Sequence, residues 1–238
     1  MRKRPMRGSS PRKTYARTLV GVSLIAAAAV SALLARPAQA AEHPDFSGLW
    51  AKTTDHSVEM AQASPMTPEG KALFARNKKA ISESDPSVYK GLDCMPPGFP
   101  RSAMAVHPTG IFQSSKALVL TSEGIEGLHT IFFDIPHRPG IPPQIEGDAV
   151  GHWEGDTLVA DVTNIYDGTF MEGTGIPQSK ALHIVQRLRL VDGGKTLEET
   201  LLIEDPAIFT KPWSTTFRYV HTHFRPPEKF CNEARNIP

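Results

Sequence analysis

From Gly110 to Thr222 the sequence is cut into short runs of alternating side chains by turns that carry glycine, and this rhythm leaves few folds open. The runs are Phe112–Gln113, Ala117–Ser122, Leu128–Asp134, Val150–Trp153, Thr157–Thr163, Ala181–Val191, Lys195–Glu204 and Ser214–Thr222. Glu154-Gly155-Asp156 and Asp192-Gly193-Gly194 sit between neighbouring runs, as tight hairpin turns require. An earlier segment, Asp45-Phe46-Ser47-Gly48-Leu49-Trp50, opens as a further strand. One stretch, Thr67–Ala80, has helical spacing: Thr67 can cap, Pro68 takes the first helical position, and Leu73, Phe74 and Ile81 recur on one face. Asp85–Arg101 and the segment holding Pro136, Pro139, Pro142 and Pro143 read as irregular loops. No strand–helix–strand alternation is present. The expectation is a mainly β fold, an antiparallel β-barrel or strongly curved sheet of seven or more strands with one short N-terminal helix.

The first forty residues read differently. A basic start (Arg2 to Arg17) precedes the uncharged apolar run Leu19–Leu34, and Ala38-Gln39-Ala40 follows as a cleavage site. The run is short for a membrane span, which needs about 20 residues. Residues 1–40 are therefore expected to be a cleaved signal peptide, and residues 41–238 a single domain in the periplasm or outside the cell. The signal holds eight of the 26 Lys and Arg residues and none of the 25 acids, leaving 18 basic against 25 acidic groups, a formal −7. So acidic a domain, without basic runs, is a poor partner for nucleic acid or an anionic membrane surface. Homo-oligomerisation stays open. Cys94 and Cys231 are the two cysteines, an even count that favours a disulfide in an exported chain over two buried thiols. Two cysteines exclude a zinc cluster built of cysteines.

Strand alternation sorts side chains onto faces. In Ala181–Val191, Leu182, Ile184, Leu188 and Leu190 share the core face with Gln186; His183, Val185, Arg187 and Arg189 share the other. Gln186 is the odd member, either bonded to neighbouring backbone or aimed into a cavity. In the last run Trp213, Thr215, Phe217, Tyr219, His221 and His223 fall on one face, a stripe that suits either core or an aromatic pocket. His129 shares a face with Ile131 and Phe133. Imidazole titrates near neutral pH unaided, so His129, His183 and His221, with Tyr219, are the candidate acid/base groups. Phe133, Trp213, Phe217 and Tyr166 are candidate contacts for an aromatic compound, and Arg187 for an anionic group on it. The loop Tyr166–Gln178 has the composition of a lid or of a plain surface loop. His221 and His223 could chelate a metal only with further histidines such as His129, His152 or His183. No nucleophile elbow, dinucleotide fingerprint or phosphate-binding loop occurs, and no cofactor is expected.

Several strings, Asp45–Trp50, Gly151-His152-Trp153-Glu154-Gly155-Asp156-Thr157-Leu158-Val159-Ala160-Asp161, Ser179–Arg187, Glu204-Asp205-Pro206, Lys211-Pro212-Trp213 and Cys231-Asn232-Glu233, resemble a large family of exported bacterial proteins that mostly carry no assigned function. The resemblance spans nearly all of residues 41–238 and implies a barrel of lipocalin-like outline. This sequence departs from it at two places: Gln186 stands where a Leu-His-x-x-Glu-Arg string has glutamate, and His129 where an arginine is common.

Three functions fit this pattern. The first is a cofactor-independent lyase, isomerase or decarboxylase acting on a hydrophobic or aromatic small molecule. The second is a periplasmic carrier barrel with the same pocket and no turnover. The third is a metal site made of histidines. The first is preferred, because unpaired His and Tyr in an apolar pocket cost stability without a task.

Overall fold

A computed structural model of the chain describes residues 43–53, 57–85, 96–122 and 127–224. Nine strands make a closed barrel: β1 (Gly48–Lys52), β2 (Thr109–Gln113), β3 (Ala117–Ser122), β4 (His129–Phe133), β5 (Asp148–Glu154), β6 (Thr157–Thr163), β7 (His183–Val191), β8 (Thr196–Glu204) and β9 (Trp213–His221). Each pairs with the next, and β9 returns to β1 through Trp50↔His221 and Lys52↔Tyr219. Closure leaves no unpaired edge. The mainly β expectation holds, and the ring is consistent with a lipocalin-like barrel.

One pairing departs from the antiparallel expectation. β4 and β5 run parallel, with Ile131 opposite Ala149. A closed ring with an odd number of strands cannot alternate direction all the way round, so at least one neighbouring pair must be parallel. A parallel pair needs a long crossover rather than a hairpin, and the proline-rich segment 134–147 supplies it. Asp148 anchors that crossover: its carboxylate accepts from the Arg138 backbone N–H (2.9 Å) and Nε (2.7 Å), and lies 3.0 Å from His137 Nδ1.

The hairpin turns fall where glycine permits them. Gly155 (φ 61°) turns β5 into β6, and Asp192, Gly193 and Gly194, all at positive φ, turn β7 into β8. Three helices occur among the described residues rather than one: α1 (Ser57–Ala63), α2 (Pro68–Glu83) and α3 (Arg101–Met104). α2 is the helix read from the sequence, with Thr67 accepting from the Gly70 N–H and Pro68 at its start. α1 and α3 are too short to show a helical period.

Side chains alternate in and out along each strand, and the interior fills with Leu118, Ile131, Leu158, Ile184, Leu201 and Phe217, among others. Fully burying each such side chain contributes roughly 1.5–3 kcal/mol. The loop Tyr166–Gln178 is not an open lid: Phe170, Met171 and Ile176 are buried, and α2 holds it through Asn77 Nδ2 donating to Gly175 O (3.0 Å). Buried Glu172 closes it internally, accepting from the Thr174 (2.7 Å) and Ile176 (3.1 Å) N–H groups. Cys94, Cys231 and the expected signal peptide lie outside the described residues.

Candidate functional site

Inside the barrel, polar side chains from five places form one hydrogen-bonded row. His129 on β4 points inward, and its Nε2 lies 2.9 Å from Gln186 Oε1 on β7. The Gln186 amide nitrogen donates to Glu199 Oε1 on β8 (2.7 Å), and the Tyr219 hydroxyl on β9 donates to Glu199 Oε2 (2.5 Å). On its other side, His129 Nδ1 lies 3.1 Å from the Glu146 carbonyl oxygen and 3.9 Å from the Glu146 carboxylate. Gln186 and Glu199 are 0% and 1% exposed and His129 4%, so the row sits in the core.

Phe99 caps it, its ring stacked on the His129 imidazole at 4.1 Å and nearly parallel. Phe99 is fixed in turn by its backbone N–H donating to Ile145 O (3.0 Å). α3 follows directly, and its Ser102 hydroxyl donates to Glu146 Oε2 (3.3 Å). Thr109 and Ser122 add a pair of hydroxyls 3.1 Å apart on β2 and β3. The space that His129, Gln186, Glu199, Tyr219, Phe99 and Ser102 help to line measures about 20 Å³ by the positions a water centre can take, room for about one water molecule.

Burial displaces these groups in opposite directions. It drives the His129 imidazole down to about 4, outweighing its bonds to Gln186 and Glu146, so the ring is neutral at pH 7. It drives the Glu146 carboxyl up to about 7, with the Ser102 hydroxyl opposing. Among the described residues, buried Glu146 Oε1 has no hydrogen-bond partner. Glu199 is also raised by its burial, against the pull of Lys52 and the bonds from Tyr219 and Gln186. Tyr219 is raised well above the usual phenol by burial and by Glu199 beside it. Lys52 lies over the Phe217 ring (3.9 Å), and its Nζ donates to Ala103 O (2.5 Å).

Of the acid/base candidates read from the sequence, His129 and Tyr219 enter this space and the others do not. His183 is on the outer face of β7, where its Nε2 lies 2.5 Å from Asp161 Oδ1 and its Nδ1 3.0 Å from Glu204. It belongs to an external chain of Glu204, His183, Asp161, His137 and Asp148. Arg187 is outside as well, paired with Glu154. Both follow from strand parity, which puts odd-numbered positions of β7 outward. His221 is exposed at the end of β9, stacked on Trp50 at 3.7 Å, and His223 is exposed beyond the strand. Among the described residues, no group of three or more His, Cys, Asp or Glu gathers as metal ligands would.

The expected aromatic contacts are also elsewhere. Phe133 packs edge-on to Trp153 (6.1 Å), Trp213 edge-on to Phe209 (5.3 Å), and Phe217 lies under Lys52. Tyr166 is half-buried against Gly168 in its own loop.

Glu146 and Glu199 are the groups that sequence reading missed. Glu199 carried a signal, since it alternates with Leu197, Leu201 and Ile203 on the inward face of β8. Glu146 stands in the crossover loop, where no period marks a face. No known protein family matches this sequence, and no curated protein does.

Proposed function

We propose that the chain is an exported enzyme that moves protons on a small hydrophobic or aromatic compound, a lyase, isomerase or decarboxylase working through side chains without a cofactor. One observation carries this reading: an imidazole held near 4 faces a small space lined also by Glu199 and Tyr219, and a carboxyl held near 7, that of Glu146, adjoins the space through its hydrogen bond from the lining residue Ser102. A carboxyl that titrates near neutral pH gives or takes a proton at little free-energy cost, which suits general acid/base work. Groups whose environments push their ionisation apart, set beside one cleft, are candidates for acid and base roles. The two positions that depart from the resembled family, His129 and Gln186, are in contact, which favours a chemistry particular to this chain.

The Phe99 ring already stacks on His129. A planar compound would take up the same face, with Ser102, Thr109 and Ser122 available to its polar groups. Since the space has room for only about one water molecule, entry requires the Phe99–Ala105 segment to shift.

The test is a melting-temperature screen of aromatic, lignin-like and steroid-like compounds, with each stabilising compound recovered and analysed by mass spectrometry. Conversion of a stabilising compound, lost in Glu146→Gln, is expected. A stabilising compound recovered unchanged would establish a carrier instead.

A further inference from the structure

His129 Nδ1 faces the Glu146 carbonyl oxygen, which can only accept, so Nδ1 must carry hydrogen. The neutral tautomer with hydrogen on Nε2 alone would set two acceptors against each other at 3.1 Å. What stands on Nε2 then depends on Gln186, whose amide has ends of the same shape. With the amide oxygen toward His129 and its nitrogen toward Glu199, the bonds require an imidazolium and a carboxylate. With the amide turned over, its nitrogen donates to His129 Nε2 and its oxygen accepts from a proton on Glu199 Oε1. The imidazole and the carboxyl are then both neutral. The two arrangements hold the same number of protons and differ in where one of them sits.

We propose that the second arrangement is the resting state, so that Glu199, not a histidine, holds the proton the site delivers. This rests on the acid/base reading given above. His129, Gln186 and Glu199 are each under 5% exposed, and two charges separated by an amide in such a place are strongly disfavoured. Two neighbours act the other way. The Phe99 face favours a charged imidazole, and Lys52 draws the Glu199 carboxyl down. Burial outweighs both, since Glu199 remains raised and His129 remains lowered. The Tyr219 hydroxyl can donate to Glu199 Oε2 (2.5 Å) or to Ala103 O (3.3 Å), and the turned-over Gln186 oxygen faces Oε1, which makes Oε1 the oxygen whose proton this arrangement satisfies. Glu199 lines the cavity, so delivery breaks its Oε1–H bond and forms the new bond on the compound. The carboxylate left behind still accepts from Tyr219 and is drawn on by Lys52. Glu146, which adjoins the space through the lining residue Ser102, takes a proton from another atom of the compound and ends protonated, so charge is conserved.

The test needs no substrate. Nitrogen NMR of the ¹⁵N-histidine-labelled protein at about pH 9, well above the Glu146 value, should find His129 neutral with hydrogen on Nδ1. Infrared spectroscopy at the same pH should show a protonated carboxyl band that Glu199→Gln removes and Glu146→Gln leaves. An imidazolium signal, or no band lost in Glu199→Gln, would overturn the proposal. Because both spectra are taken without a ligand, such a failure leaves the enzyme reading to be decided by the conversion screen.

Discussion

Gly127 leaves room for the group on which the site depends: a Cβ there would stand 2.1 Å from Glu146 Oε1. The raised Glu146 carboxyl has a consequence for stability whose sign is fixed. Its folded value, about 7, lies above its ordinary value of 4.5, so the folded protein binds the proton more tightly. Stability from this group is therefore full below pH 4.5 and is lost as pH rises through 7. Glu146→Gln removes that loss. Urea unfolding should find the variant gaining on the parent between those pH values, by on the order of 3 kcal/mol at most. A difference that does not change with pH would mean the carboxyl is not displaced. His129 and Tyr219 were legible as inward-facing from alternation alone, and Gln186 stood out as a polar residue on a core face. The polarity of the interior was thus half visible. Its carboxyls were not, because an acid in sequence is usually solvated and Glu146 lies where no period sorts faces.

Two elements decide what the row of side chains can reach. The segment Phe99–Met104 fills the space above His129, and Phe99 is buried. Phe99→Ala should cost about 3–5 kcal/mol, as removal of a buried phenyl does, and should leave a cavity beside His129. Phenol added to the variant should restore part of the lost melting temperature and have no such effect on the parent. The crossover 134–147 is the second element. Against its burial, which would raise it, the Arg138 N–H and guanidinium and His137 hold the Asp148 carboxyl below the ordinary 3.8. Its contribution is present above that value and lost as pH falls through the lowered one. Asp148→Asn should reduce stability at neutral pH by about 1–3 kcal/mol, measured by urea unfolding, with the deficit shrinking in acid. The parallel β4–β5 pair that this crossover makes could not be read from residues, since alternation reports faces and not strand direction. α3 escaped for its length of four residues.

At the scale of the whole molecule, the turn-punctuated rhythm from Gly110 to Thr222 was enough to indicate a barrel, because closing the ring is how such strands avoid edges. Alternation in Ala181–Val191 also put Arg187 and Arg189 on the outer face, where they pair with Glu154 and Glu198. Export is expected to leave a chain that begins at Ala41 with Cys94 and Cys231 joined. Intact mass before and after reduction, with N-terminal sequencing of the secreted protein, checks both. The proposed function requires a barrel interior poised for proton transfer near neutral pH. Carbon NMR titration of the Glu146 carboxyl, assigned by its loss in Glu146→Gln, tests this without a substrate. A midpoint near 7 is expected; a midpoint at the ordinary 4.5 would contradict it.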